Sequence, residues 1–307
     1  MKAMVLAAGL GTRMRPLSNI VAKPALPVGA RSLIQWSLLH LASQGVDEVV
    51  VNLHHLPESI RARVGDGNEL GLRVLYSFEP DILGTAGGLA EAAEHFADQE
   101  LFLMVNADCL FDLDLRAAVQ AHRDSGALAT MVLLPLRGAY ASVEIEGGEV
   151  LRIAGRPAGT GAGQPYHFSG VHVISNGLLG FLPKAFSDIN HDVYPSLIER
   201  GERIAGMVTD GMWLDFGDPW AYLRNARAFL KSRGEAMGSC ITGTNVVVEP
   251  GAVVEDSILW DDVMVSGGAR LERCIVTDGV SVEGGTYHDG IITPNGALAF
   301  VQTHDGP

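Results

Sequence analysis

Two groups of residues carry most of the chemistry open to this sequence. The first is Ala8-Gly9-Leu10-Gly11-Thr12-Arg13-Met14-Arg15-Pro16, which follows the apolar run Ala3-Met4-Val5-Leu6-Ala7. Glycines let backbone N–H groups approach phosphate oxygens closely. Arg13 and Arg15 add planar, permanently charged forks that match a phosphate. Lys23, in Lys23-Pro24-Ala25-Leu26-Pro27-Val28, adds a mobile point charge a short distance on. The plainer alternative is a strand–turn–helix junction with arginines on its surface. The string is not the dinucleotide fingerprint, which needs a third glycine where Met14 stands.

The second group is acidic. Asp108 closes Val105-Asn106-Ala107-Asp108 after the apolar run Leu101–Val105, and Asp215 lies in Trp213-Leu214-Asp215-Phe216-Gly217. An aspartate at the carboxyl end of a strand faces the ligand crevice of an open α/β sheet. It is a hard oxygen ligand suited to Mg²⁺, which takes one or two carboxylates and keeps waters and phosphates. Lone aspartates at such places also serve as helix caps or turn formers. Asp112, Asp114, Asp210 and Asp218 read as solvated or capping residues. His54-His55 lacks partners at metal-ligand spacing and reads as a polar pair at a strand end. Cys109 reads as a buried free thiol.

These groups need elements to hold them. Strands are expected at Ala3–Ala7, Val46–Leu53, Leu72–Phe78 and Leu101–Val105. Helices are expected at Leu33–Ser43, Pro57–Val64, Ala86–Phe96 and Ala221–Lys231. Strands alternating with helices imply a parallel or mixed sheet covered on both faces. Gly155–Gly163 reads as a loop and Ser232-Arg233-Gly234 as a linker. Beyond it helical periodicity vanishes. Val247, Val253, Ile258, Val263, Ala269, Ile275 and Val280 recur every five or six residues between glycines and acidic residues. Small aliphatics pointing inward at that period fit a three-faced β-helix of about three coils. So short a helix needs the preceding domain, or a second copy, to cover its ends.

Composition sets limits. With 47% hydrophobic and 19% charged residues in 307, the chain supplies a sizeable core. A net charge of −14 disfavours nucleic acid and anionic membranes as partners. Three scattered cysteines form no disulfide framework, which points to a reducing, cytoplasmic setting. No apolar run is long enough to span a bilayer. Charges at Arg13 and Arg15 stand where a signal-peptide cleavage site would fall, so targeting is not expected.

The strings AAGLGTRMRPLS and KPALPVG together resemble the nucleotide-binding loop of the sugar-1-phosphate nucleotidylyltransferases. Leu83-Gly84-Thr85-Ala86-Gly87 resembles that family's nucleotide-cradling segment, and the motifs holding Asp108 and Asp215 match in order. The tail resembles the hexapeptide repeats of some members, mannose-1-phosphate guanylyltransferases among them. The resemblance covers nearly the whole chain. It implies a Rossmann-like mixed-sheet α/β nucleotidyltransferase domain over residues 1–232, then a short left-handed parallel β-helix over 238–300.

The implied reaction is attack of a sugar 1-phosphate on the α-phosphorus of a nucleoside triphosphate, with pyrophosphate leaving. The resemblance implies Mg²⁺ on Asp108 and Asp215, pyrophosphate on Arg13 and Arg15, and the α-phosphate and incoming phosphate on Lys23. Ala8, Gly9, Gly11, Thr12, Gly84 and Thr85 fall in the nucleotide-binding segments. Where many members carry Glu-Lys-Pro, this chain has Gly155-Arg156-Pro157. Where they carry Asn-Ala-Gly it has Phe168-Ser169-Gly170, a form also similar to N-acetylmuramate-1-phosphate uridylyltransferases. Arg156, Ser169 and Gly170 are therefore the sugar-phosphate candidates.

Glu79, at the end of the strand before Leu83-Gly84, can lie at the rim where a base binds. A carboxylate accepts two donors, which suits guanine and repels uracil; the alternative is a solvated strand-end glutamate. The favoured substrates are GTP and mannose 1-phosphate. A uridylyltransferase acting on N-acetylmuramate 1-phosphate or glucose 1-phosphate, and a non-catalytic sensing paralogue, are the alternatives. An acyltransferase is disfavoured because the region 238–300 offers only His288, beyond the clear repeats. A homo-oligomer is expected.

Overall fold

The structure is a computed structural model that describes residues 1–136, 142–158, 163–235 and 240–300. Two compact units emerge: Met1–Leu10 with Ile34–Trp213, and Gly11–Leu33 with Leu214–Pro307. The glycine-arginine loop and the closing helix thus group with the tail.

The first unit is built on a nine-stranded sheet. Its strands are β1 (Lys2–Leu6), β2 (Glu48–Leu53), β3 (Arg73–Phe78), β4 (Leu101–Asn106), β5 (Ala129–Pro135), β6 (Ser142–Glu146), β7 (Glu149–Ile153), β8 (Gln164–Ser175) and β9 (Ile204–Val208). The order is β3-β2-β1-β4-β8-β5-β9-β7-β6, with β6 also pairing with β8. β9 pairs in parallel with β5, and β1 to β4 form one parallel block. Their continuous aliphatic runs are what burial on both faces demands: Ala3, Met4, Val5, Val49, Val50, Val51, Leu103, Met104 and Val105 are all fully buried. β8 runs antiparallel to β4 and β5, so the sheet is mixed.

Helices α1 (Leu33–Ser43) and α2 (Pro57–Val64) have their expected bounds, and α3 (Gly84–Glu91) starts two residues before its expected Ala86. In α4 (Leu115–Ser125) the buried residues Leu115, Ala118, Val119 and His122 form one stripe. Asp114 caps it by accepting from Ala117 N–H at 2.9 Å, and Gly126 stops it with φ +62°. α5 (Tyr194–Glu199) adds Tyr194 and Leu197 to the core under the sheet. Two histidines are buried with it. His122 bonds Thr130 Oγ1 and Ser175 Oγ, and His172 Nδ1 bonds the Tyr194 hydroxyl at 3.0 Å.

The second unit holds the loop Gly11–Leu33, helix α6 (Pro219–Ser232) and the tail. The tail strands stack in parallel ladders: Ile241–Ile258–Ile275, and Val247–Met264–Ser281. Equivalent residues lie 17 apart in the first coils, as in the bond from Asn245 to Asp262, and 16 apart between Ala269–Val276 and residues 285–292. Each coil turns through corners at positive φ, which also align in columns: Asn245, Asp262 and Gly279; Gly251 and Gly268; Asp256, Arg273 and Asp289. Glycine, asparagine and aspartate tolerate this left-handed conformation best. At Arg273 the guanidinium grips both carboxylate oxygens of Asp289.

The aliphatic repeat is real, but its phase in the first coil differs from expectation. Val247 and Val253 are 52% and 38% exposed, and Val246 and Ala252 pack inward instead. The strands are only two or three residues long, so the inward residue falls at the corner before each strand. Val263, Ala269 and Val280 do point inward, whereas Ile258 and Ile275 are buried outside that interior cluster, on the face that carries Trp260. There the Trp260 indole donates to the Tyr222 hydroxyl of α6 at 3.1 Å, and that hydroxyl donates to Pro27 O. One buried phenol therefore ties coil, helix and loop together.

Tyr222→Phe leaves a buried N–H and a buried carbonyl without that hydroxyl. It should cost about 1–3 kcal/mol in urea unfolding without changing the folded spectrum. Burial drives the His172 imidazole down to about 3, and lowers His122 as well. The unfolded chain binds protons at these sites more readily than the folded one. Stability should therefore fall as pH drops below about 6.5 and keep falling towards 3, by up to about 1.4 kcal/mol per pH unit per histidine. His172→Gln should flatten that acid limb in urea midpoints measured against pH.

Candidate active site

In the second unit the loop from Gly11 to Ala25 is a run of three short 3₁₀ turns. Met14 and Leu17 are fully buried while Arg13 and Arg15 are exposed. The apolar residue between the arginines is thus the anchor that turns both guanidinium groups outward. Gly11 has φ +59°, and a Cβ there would lie 3.2 Å from Lys23 Cβ and 3.3 Å from Ser18 Cβ. Ser18 Oγ donates to Gly11 O at 2.8 Å, fastening the turn. Lys23 is 7% exposed, so its stem packs inside the loop.

Asp215 ends the strand Met212–Asp215 and is half-buried. Its carbonyl accepts from Asn225 Nδ2 of α6, and Asp218 caps α6 by accepting from Ala221 N–H at 2.8 Å. Gly217 sits between the charged groups. A Cβ there would stand 2.7 Å from Asp215 Oδ2 and 3.3 Å from Arg13 Nη1. A carboxylate and a guanidinium thus converge on the one residue that has no side chain.

In the first unit the carboxyl ends of the parallel strands form one row. Ser77, Asn52, Leu6 and Asn106 are neighbours in register. Asp108, half-buried, lies in the turn just beyond β4 and before the strand Cys109–Asp112, at the crevice end of the sheet. Ala8 is 6% exposed; Gly9 is exposed, and nothing lies within 4 Å of where its Cβ would be. Gly9 is needed for neither packing nor positive φ, which leaves the approach of another molecule as its physical use.

Other sequence-based candidates have different surroundings. Glu79 is not at a rim. It is 0% exposed, Oε1 accepts from Asn52 Nδ2 at 2.7 Å and Oε2 from Leu83 N–H at 3.0 Å. Each oxygen holds an internal donor and the side chain is fully buried, in place of the expected rim position. Ser169 and Gly170 form a β-bulge, where the β8–β5 register shifts between Phe168 and His172. Ser169 is fully buried; its Oγ donates to Val132 O at 2.7 Å and accepts from Val171 N–H. Its hydroxyl repairs the ladder and does not face a sugar. Gly170, at φ +82°, packs on Asn106, whose Nδ2 would be 2.9 Å from a Cβ. Trp213 Nε1 donates to Ser169 O at 2.7 Å, which explains the tryptophan two residues before Asp215.

The glycines of the Leu83–Gly88 segment serve close packing. Added Cβ atoms would meet Ser187 O at 2.5 Å from Gly84 and Ala185 O at 2.5 Å from Gly87. Thr85 Oγ1 accepts from Ile189 N–H at 2.7 Å and donates to Asp188. What this segment offers a ligand is therefore backbone rather than the threonine hydroxyl. Gly155 follows Ala154 in a two-residue turn with both φ positive, closed by reciprocal bonds between Ile153 and Arg156. Glycine stands there for the turn, and Arg156 leaves it exposed. Residues 159–162 of the expected loop lie outside the described residues. His54 Nδ1 bonds Glu79 O at 2.8 Å, and Cys109 is buried.

Among the described residues no three His, Cys, Asp or Glu side chains gather as a metal cage. Each unit carries one of the two carboxylates singled out in the sequence, Asp108 in the first and Asp215 in the second. A carboxylate oxygen is a hard donor of the kind a divalent cation takes beside waters and phosphate oxygens.

Comparison with known proteins identifies the class. Residues 2–232 match the Nucleotidyl transferase family, and residues 231–291 match the GlmU-like C-terminal hexapeptide family. The chain belongs to the nucleotidyl transferase family, with a hexapeptide-repeat tail. It is 32% identical over 73% of its length to a UTP–glucose-1-phosphate uridylyltransferase of Synechocystis, of which the match spans 63%. It is 35% identical to the N-acetylmuramate α-1-phosphate uridylyltransferase of Neisseria meningitidis, over 71% of this chain and 93% of that one. A probable mannose-1-phosphate guanylyltransferase of Oryza sativa is 30% identical over 84% and 74%. The crystal structure of HddC from Yersinia pseudotuberculosis shares the fold, with a TM-score of 0.64 at 21% identity over 74% of this chain and 99% of that one.

Gly217→Ala is compatible with the backbone but drives a methyl group into Asp215 Oδ2 and Arg13 Nη1. It should fold with a near-normal melting temperature and lose about tenfold or more in pyrophosphate release.

Proposed function

We propose that this chain transfers a nucleoside monophosphate from a nucleoside triphosphate to a sugar 1-phosphate and releases pyrophosphate. The observation that carries the reading is the pairing of Asp215 with Arg13 around the bare Cα of Gly217. Such a place accepts a phosphate and a cation side by side. Arg13 and Arg15, held outward by Met14, bind the leaving pyrophosphate. Lys23 places its charge at the α-phosphate and the incoming phosphate. Gly9 and the backbone at Ala8, Gly11, Thr12 and Gly84 give the nucleotide close approach. Arg156 and the bulge at Gly170 form the sugar-phosphate side.

Asp108 and Asp215 are the ligands we assign to a divalent cation, Mg²⁺ by the hardness of carboxylate oxygen. When bound, that cation supplies positive charge against the α-phosphate. No general base is assigned, because a phosphate monoester is already a nucleophile at neutral pH. In-line positioning and cations where charge builds up supply the catalysis.

With Glu79 buried, the preference for GTP and mannose 1-phosphate rests on the Leu83–Gly87 string, the tail and likeness to guanylyltransferases. A second reading, UTP with N-acetylmuramate 1-phosphate or glucose 1-phosphate, has the support of the 35% and 32% identical relatives. Val247 and Met264, exposed and stacked in register, favour a homo-oligomer, which light scattering tests. No helix among the described residues is long and apolar enough to cross a membrane. Free cysteines fit the expected reducing, cytoplasmic setting.

Pyrophosphate release with four triphosphates against several sugar 1-phosphates tests the reaction and selects the pair. Absence of turnover with every pair leaves the sensing paralogue. Asp108→Asn and Asp215→Asn should each fold and lose roughly a hundredfold or more in turnover, the range for a lost transition-state charge partner. Near-normal turnover at saturating Mg²⁺ removes that residue from the site.

A further inference from the structure

A continuous chain of hydrogen bonds crosses the carboxyl end of the parallel sheet in the first unit. Ala7 N–H donates to Asn52 Oδ1 at 2.7 Å. Asn52 Nδ2 donates to Glu79 Oε1 at 2.7 Å, and Leu83 N–H donates to Glu79 Oε2 at 3.0 Å. Asn52 is 3% exposed and Glu79 0%. The Glu79 backbone is fixed as well: its N–H donates to Leu53 O at 2.8 Å and its carbonyl bonds His54 Nδ1. Gly88 packs against the pair so closely that a Cβ would stand 2.5 Å from Glu79 Oε1 and 2.9 Å from Asn52 Nδ2.

Both ends of this chain are backbone donors. Joining two donors through two side chains takes one amide, which accepts and donates, and one acceptor-only carboxylate. A buried carboxylate is costly to desolvate, and apolar side chains would fill the same volume at lower cost. What apolar packing cannot do is fix two backbone amides at a set distance. The two held here open the Ala7–Gly9 stretch and the Leu83–Thr85 stretch, the nucleotide-facing segments of this unit.

We propose that Asn52 and Glu79 form a positioning relay that sets the spacing of these two segments and thereby the seat of the nucleoside triphosphate. Neither side chain touches the ligand; each acts through the backbone it holds. This rests on the nucleotidyl-transfer reading above.

The polarity of the relay supplies its test. Glu79→Gln points an amide NH₂ at another donor, either Asn52 Nδ2 or Leu83 N–H. Asn52→Asp sets two carboxylates oxygen to oxygen. The double variant Asn52→Asp/Glu79→Gln restores every bond with the middle one reversed. Aspartate accepts from Ala7 N–H and from the glutamine NH₂, and the glutamine oxygen accepts from Leu83 N–H. GTP and UTP binding by calorimetry, and steady-state kinetics, are measured on the full-length chain. Each single variant should weaken triphosphate binding and raise its KM about tenfold or more, with the sugar 1-phosphate KM within about twofold. The double variant should return triphosphate binding to within roughly threefold of the wild type.

A double variant no better than the weaker single, or single variants that lower Tm with triphosphate binding intact, overturns the relay. Should a single variant fail to fold, the folded double variant decides: binding near wild type supports the relay, and a tenfold loss overturns it. A wild-type chain that binds triphosphate without turning it over breaks the functional reading, and the binding arm then judges the relay alone.

Discussion

The site depends on how the backbone leaves β1. A parallel strand that ends inside a sheet carries polar groups its neighbours no longer pair, and in a buried place these must find partners. Leu6 O takes the N–H of Ala107, and Ala7 N–H takes the Asn52 side chain. The end of β1 is thus gripped from both sides, by the turn that precedes Asp108 and by the Asn52 side chain of β2. With that exit fixed, the open glycine at position 9 and the turn bearing Asp108 hang from defined points. A looser exit would leave each free to wander by the fraction of an ångström that phosphate chemistry does not tolerate.

The motif glycines divide by physical use. Gly11 adopts positive φ and lies against Lys23 and Ser18. Gly84, Gly87 and Gly88 let α3 press on the 185–187 backbone and on the Asn52–Glu79 pair. Gly155 makes a tight turn and Gly170 a bulge. Three in this set have neither positive φ nor backbone crowding: Gly88 lies against the buried Asn52–Glu79 pair, whereas Gly9 faces open space and Gly217 meets the Asp215 and Arg13 side chains. Glycine at the last two marks where something other than the protein's own core comes close.

The strand–helix alternation, α1, α2 and the tail repeat were legible because hydrophobic period and burial coincide in them. Asp114 and Asp218 were legible as caps because local sequence decides capping. Glu79 was misread because its surroundings are assembled from distant strands: Asn52 lies 27 residues away. The signal that could have pointed to Asn52 is slight, a lone amide closing the run Val49-Val50-Val51. Ser169 misled in the same way, since a serine that repairs a bulge and one that faces a ligand look alike in sequence. Val247 and Val253 were off by one because corners as well as strands face inward in so narrow a coil.

The corner columns of the tail bear on how such a chain can change in length. In the first coils each left-handed corner sits above its counterpart 17 residues away, as Asn245 above Asp262, whereas the last step, from Arg273 to Asp289, is 16 residues. A residue inserted within a strand would carry a bulky side chain into a left-handed corner and turn an aliphatic out to solvent. An insertion of one full coil would meet neither difficulty, since every corner and every inward position would find a matching neighbour. Length in this part of the molecule can therefore change by whole coils, or by one residue at a corner as between Val282 and Gly285, but not within the two-residue strands.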